Sequence, residues 1–373
     1  MKLRLNEEQQ MLQDSAAEFL QQRAPVAHLR AVRDEAMAGG YDPALWQEMV
    51  ELGWSAILVE EAYGGLEYGY SGLGIVLEQC GRHLTPSPLR STSLMAVSAI
   101  QTFGDRDQKT RLLGAICAGE STMAVALDET ARRDQWRCDA KAEPTDGGFR
   151  ITGMKCAVWD GAGAGHFLVL ANTPSGLGLF VVPSDADGVQ LEDDGALDIS
   201  HAPTIQLNSV EVDKSAWLGQ KHVTAEHIDR LMDIGCIGAA AEMLGLADQA
   251  FKLTLDYLRN RKQFGITISH FQALQHRAAA LYTELELGRS LLRAALWSLD
   301  QPEGLSPSMA SMTKAKLGVI SHTAAAEGIQ MHGGIGMTDD YEIGFYLKRW
   351  KILDAMYGDS YFHFDRYSAG QGY

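Results

Sequence analysis

The chain has 373 residues, 46% of them hydrophobic and 21% charged, the balance of a globular protein too long for one core. Its formal net charge of −16 argues against nucleic acid or an anionic membrane as partner. The five scattered cysteines, Cys80, Cys117, Cys138, Cys156 and Cys236, form no C-x-x-C pair, so neither a disulfide framework nor a structural metal is expected. Residues 1–9 lack the apolar core of a signal peptide. The most apolar run, 234–247, is broken by Glu242 and is too short to span a bilayer. A cytoplasmic location is the expectation.

Along the chain, residues 1–118 read as a helical domain. Asn6 is placed to cap a helix that begins at Glu7 and Glu8, with Met11, Ala16, Phe19 and Leu20 at roughly helical spacing. A second helix is predicted over 43–52, with Pro43 in its first turn. A turn at 60–65 and a helix over 71–82 follow. From 119 to 225 the hydrophobic period shifts towards two, and strands are predicted at 122–127, 166–171, 177–183 and 204–207. Asp146-Gly147-Gly148 reads as a hairpin turn. The spacing predicts a small antiparallel barrel or sandwich for this middle domain. Residues 226–373 return to helix, with long amphipathic stretches at 239–257, 272–299 and 307–330 that suggest a four-helix bundle. Ser306 reads as the N-cap of the last, with Pro307 at its first position. The fold class is α+β multi-domain.

Three stretches carry chemistry. They are Arg259-Asn260-Arg261-Lys262-Gln263-Phe264-Gly265, Gln330-Met331-His332-Gly333-Gly334-Ile335-Gly336-Met337, and Met356-Tyr357-Gly358-Asp359. With the helix, β, helix layout, they make the chain resemble the acyl-CoA dehydrogenase flavoprotein family over essentially its whole length. The resemblance implies FAD, an acyl-CoA substrate and an electron-transferring flavoprotein as acceptor. It also implies a cofactor laid between two subunits. One subunit holds the flavin ring and does the chemistry. Its neighbour clasps the pyrophosphate and adenosine through residues matched here by Arg261, Gln263, Phe264, Gln272, Gln330, Gly333 and Gly334. A guanidinium fork suits phosphate oxygens, and glycine lets backbone N–H groups approach them. Gln275 follows Gln272 on the same predicted helix.

The half that does the chemistry departs from the family pattern in three places. The loop Asp128-Glu129-Thr130-Ala131-Arg132-Arg133-Asp134 keeps only Glu129 and Asp134 of a Thr-Glu and Gly-Ser-Asp pattern. Trp159 stands where the family has a Thr or Ser hydroxyl for the flavin. Tyr357 stands where it has the glutamate that removes the α-proton. Ionising a phenol at neutral pH costs roughly 4 kcal/mol, and general-base catalysis is worth about 10²–10⁴-fold. The family's alternative base position falls on Gly235, which has no side chain. Asp233 and Asp359 are the remaining substitutes, while Asp354 and Asp359 read more readily as a solvated face or as helix caps. His332 reads as a packing or hydrogen-bonding residue.

The leading reading is therefore a base-less partner in a hetero-oligomeric dehydrogenase, an α2β2 assembly with a sister chain that carries the glutamate. This resembles the small subunits of bacterial two-subunit dehydrogenases for pimeloyl-type or steroid side-chain acyl-CoAs. Two alternatives stay open: a homo-oligomeric enzyme using Asp359 or Asp233 as base, and a non-enzymatic binding protein on the same fold.

Overall fold

The computed structural model describes residues 4–130, 138–193, 195 and 197–373. Ala131, Arg132, Arg133 and Asp134 of the predicted flavin loop therefore lie outside the described residues.

The chain opens with α1 (Glu7–Arg23), α2 (Val26–Asp34), α3 (Pro43–Glu51) and α4 (Gly69–His83). Asn6 and Gln9 form a reciprocal capping box at the start of α1, with Asn6 Oδ1 accepting from the Gln9 amide at 2.7 Å. Ala16 and Leu20 are buried as expected, but Met11 is 72% exposed, off the apolar stripe. Asp42 caps α3 just ahead of Pro43. A π-helical stretch, Leu89–Ala96, runs into α5 (Val97–Phe103), and α6 (Arg106–Cys117) follows.

Among the described residues seven strands come next: β1 (Met123–Ala126), β2 (Lys141–Pro144), β3 (Gly148–Lys155), β4 (His166–Thr173), β5 (Gly176–Pro183), β6 (Val189–Glu192) and β7 (Thr204–Asp213). They form one half-barrel sheet in the order β1-β4-β2-β3-β7-β6, with β5 paired to β4. The predicted hairpin at Asp146–Gly148 joins β2 to antiparallel β3. The sheet is mixed rather than antiparallel, because β1 and β4 run parallel from Met123 opposite His166. The β2–β3 hairpin lies between them in sequence and returns the chain to the same end, the long crossover that a parallel pair requires. Its core holds Ile151, Phe167, Val169, Phe180, Val182, Ile205 and Leu207, all essentially inaccessible.

The C-terminal part holds α7 (Ala225–Asn260), the hairpin β8 (Lys262–Gln263) and β9 (Ile266–Thr267), then α8 (Gln272–Leu299), α9 (Pro307–His332), α10 (Ile343–Ala355) and α11 (Ser360–Gly370). Ser306 caps α9 through the Met309 amide, with Pro307 at its first position.

Two compact units result. The first gathers the N-terminal stretch to Arg30, Tyr70–Thr85 and Cys236–Tyr373; the second holds Ala31–Gly69 and Pro86–Gly235. In the first, α4 and α7 meet backbone to backbone. A Cβ on Gly81 would sit 2.0 Å from the Glu242 carbonyl, and one on Gly245 1.8 Å from that of Glu78. Arg289 ties α8 to this crossing through Glu78 at 3.1 Å and Asp248 at 2.9 Å. Beside it, burial and the charges of Arg82 and Lys252 push His83 down to about 4 from 6.5.

Because His83 stays neutral in the fold but binds a proton in the unfolded chain, the unfolded state holds more protons between those two values. Stability therefore falls as pH drops from about 6.5 towards about 4. Urea unfolding at pH 7 and pH 5 checks this, and His83→Gln is expected to flatten that limb.

Candidate functional site

The motif at 259–265 folds as the end of α7 and a two-residue hairpin. Phe264 (φ 54°) and Gly265 (φ 81°) both adopt the left-handed conformation, as a type I′ turn requires. Lys262 pairs Thr267 and Gln263 pairs Ile266. The Phe264 ring projects from the tip, 90% exposed, and meets Phe271 edge-on at 6.1 Å. Arg261, Gln263 and Gln272 are all exposed. Arg261 has no ion-pair partner among the described residues. Gln275 turns back instead, donating to the Ser269 carbonyl at 2.9 Å.

The second motif ends α9. Gln330 is exposed, and Gly333 (φ 67°) breaks the helix into the 3-10 turn Gly333–Met337. A Cβ on Gly333 or Gly334 would meet nothing within 4 Å, so the backbone there is open to an approaching group. The two motifs are brought together through rings. His332 lies 4.4 Å from the Tyr257 ring and 4.8 Å from that of Tyr341. The Tyr257 carbonyl in turn accepts from the Arg261 amide at 2.8 Å. Arg30 secures the same loop, donating from Nη1 to the Asp339 carboxylate at 3.1 Å with its guanidinium 4.5 Å from the Phe345 ring.

The third motif is a turn held from behind. Tyr357 sits between α10 and α11 in the left-handed conformation (φ 59°), half-buried. Its carbonyl accepts from His363 Nε2 at 3.1 Å and from Cys236 Sγ at 3.7 Å. The fully buried Lys314 donates to the carbonyls of Asp354 and Gly358, both at 2.9 Å. Asp354 Oδ1 accepts from the Ser360 amide at 3.2 Å and hydroxyl at 2.6 Å. Burial pushes the Lys314 ammonium below its usual range, against the pull of Cys236, Asp354 and Asp359. None of these bonds passes through the side chain at position 357.

Of the two substitute bases, Asp359 is the N-cap of α11, accepting from the Phe362 amide at 2.9 Å. Asp233 is 3% exposed inside α7. Asp354 is 5% exposed, so it is a buried turn-holding acceptor and not part of a solvated face. Gly235 lies buried in the same helix.

In the β unit, Glu129 is bonded on several sides. Its Oε1 lies 2.7 Å from Lys155 Nζ, and its carboxylate accepts from the amides of Ala140 at 3.0 Å and Asp139 at 2.5 Å. Burial pushes its carboxyl up, but Lys155 and the two amides outweigh this and hold it below the usual range. Trp159 is half-buried in the turn after β3, next to Asp160, which pairs with Arg90 at 3.5 Å.

Residues 6–120 match the acyl-CoA dehydrogenase N-terminal domain and 227–369 the acyl-CoA dehydrogenase C-terminal domain. The chain belongs to the acyl-CoA dehydrogenase family, an FAD-dependent oxidoreductase family. It is 30% identical over 350 residues to the acyl-CoA dehydrogenase IpdE2 of Mycobacterium tuberculosis, covering 92% of this chain and 91% of that one. It is also similar to a solved variant of the Tcur3481–Tcur3483 steroid ACAD, with 30% identity, a TM-score of 0.87 and 98% of each chain covered. The ChsE4–ChsE5 complex of Mycobacterium tuberculosis has the same fold at 23% identity and a TM-score of 0.90, over 100% and 99% of the two chains.

Members of this family bind FAD. The exposed, ion-pair-free guanidinium of Arg261 and the open backbone at Gly333 and Gly334 fit its diphosphate. His332 adds a buried acceptor nitrogen with no hydrogen-bond partner among the described residues. Lys314, His363, Arg30 and Tyr341 were not singled out from sequence.

Proposed function

We propose that this chain is the base-less partner subunit of a hetero-oligomeric acyl-CoA dehydrogenase, assembled as α2β2 with a sister chain that bears the glutamate. The observation that carries this is the contrast between the motifs. Arg261, Gln263, Phe264, Gln272, Gln330, Gly333 and Gly334 are all exposed and ready for a ligand held by another chain. Position 357, by contrast, presents a phenol.

In that assembly Arg261 grips the diphosphate, the glycines offer their amides, and Gln263, Gln272, Gln330 and Phe264 border the adenosine. FAD supplies the electron acceptance for α,β-dehydrogenation of an acyl-CoA, and an electron-transferring flavoprotein is the acceptor beyond it. Tyr357 stands at the position of the base and Trp159 at that of the flavin-bonding hydroxyl, and neither side chain supplies the missing chemistry. The Tcur3481–Tcur3483 and ChsE4–ChsE5 names, each joining two chains, support a two-chain enzyme, and the first supports a steroid acyl group. No helix among the described residues is long and apolar enough to cross a membrane, in keeping with a cytoplasmic site of action.

The test is co-expression with a dehydrogenase-like sister chain ending in a Glu-Gly pair. An active complex is expected, and Tyr357→Phe in this chain should leave its turnover within about twofold. Removing the sister's glutamate should cost about 10²–10⁴-fold. A large loss with Tyr357→Phe would contradict the assignment. A second reading, a homo-oligomer using Asp359, is disfavoured because that carboxylate already caps α11.

A further inference from the structure

The imidazole of His332 is 3% exposed. Its Nδ1 lies 2.6 Å from the Gly328 carbonyl, which fixes the proton on Nδ1 and leaves Nε2 a bare lone pair. That Nε2 is buried and has no hydrogen-bond partner among the described residues. Buried acceptors of this kind are rare because each forfeits its hydration without compensation. The ring lies between Tyr257 and Tyr341, one residue before the open glycines and beside the end of α7 that carries Arg261. Burial lowers the ring's proton affinity, outweighing the Gly328 bond, so the lone pair persists at neutral pH.

We propose that His332 Nε2 is a binding group, the acceptor for a hydroxyl or N–H donor of a nucleoside diphosphate seated on Arg261 and Gly333–Gly334. This rests on the reading that these residues clasp the cofactor's diphosphate half. Tyr257 stands on α7 and Tyr341 in the bend just before α10. The chemistry is a neutral acceptor for a neutral donor, so it adds selectivity for a nucleoside over bare diphosphate, while Arg261 supplies the charge. Packing alone would be served equally well by phenylalanine, which has no lone pair to leave unpaired.

The experiment uses the full chain with ¹⁵N-labelled histidine and ADP as probe. In ligand-free protein the His332 Nε2 resonance should be that of an unbonded imidazole nitrogen, and saturation with ADP should move it to the hydrogen-bonded position. His332→Phe should weaken ADP roughly 5–10-fold, the effect of one neutral hydrogen bond, and leave pyrophosphate affinity unchanged. If that variant does not fold, the wild-type resonance decides alone. An Nε2 already hydrogen-bonded without ADP, and so served by water, would overturn the proposal. So would an Nε2 unmoved at saturation, or ADP affinity equal in wild type and variant; both leave the role of Arg261 standing. ADP failing to bind the isolated chain at millimolar concentration also overturns it, while co-expression judges the cofactor-clasping reading separately.

Discussion

Replacing Arg261 by alanine is expected to weaken flavin binding by the two-chain complex about 10–100-fold. A charge-assisted hydrogen bond to phosphate is worth about 1.5–3 kcal/mol, and each 1.4 kcal/mol is about tenfold in affinity. The fold should not notice. Arg261 is exposed and follows the last turn of α7, and such surface substitutions shift stability by only about 0.5 kcal/mol. Arg261→Lys should recover the charge but not the fork, and so only part of the affinity. Flavin fluorescence on dilution measures the first effect and thermal unfolding the second. Equal flavin retention in wild type and Arg261→Ala would remove this residue from the cofactor site.

Lys314→Met is expected to act in the opposite way, on stability first. The substitution keeps most of the side-chain volume but leaves the carbonyls of Asp354 and Gly358 without their donor in a buried place. Each orphaned acceptor costs about 1–3 kcal/mol, partly offset because the ammonium's own desolvation disappears. A net loss of about 3 kcal/mol is expected, read by urea unfolding. The turn at Tyr357 should loosen with it, seen as faster amide exchange around Gly358. A loss below about 0.5 kcal/mol would mean that Lys314 does not hold the turn.

These two residues also mark what the sequence makes legible. Helix starts were readable because caps are local. Asn6 with Gln9, and Ser306 with Pro307, each work within three residues. The hairpin at Asp146–Gly148 and the strands at β1, β4, β5 and β7 followed from period and turn chemistry. The parallel pairing of β1 with β4 did not, since it depends on where an intervening hairpin returns the chain. The short α10 and α11 escaped because their packing on α9 is visible only once the chain is folded. The arms at Arg261 and Gly333 are contiguous motifs and could be read directly. What supports them could not be. Lys314 meets a carbonyl 44 residues away, and Arg30 an acid 309 away. The buried orphan on His332 is visible only once its surroundings are assembled.

The partner-subunit role is tested most directly by where flavin resides when this polypeptide is purified without, and then with, a glutamate-bearing sister. The expected outcome is a colourless preparation alone, and one FAD per two-chain pair when the two are produced together. A yellow single-chain preparation, carrying FAD in equal proportion to protein and bleached by an acyl-CoA, would contradict it.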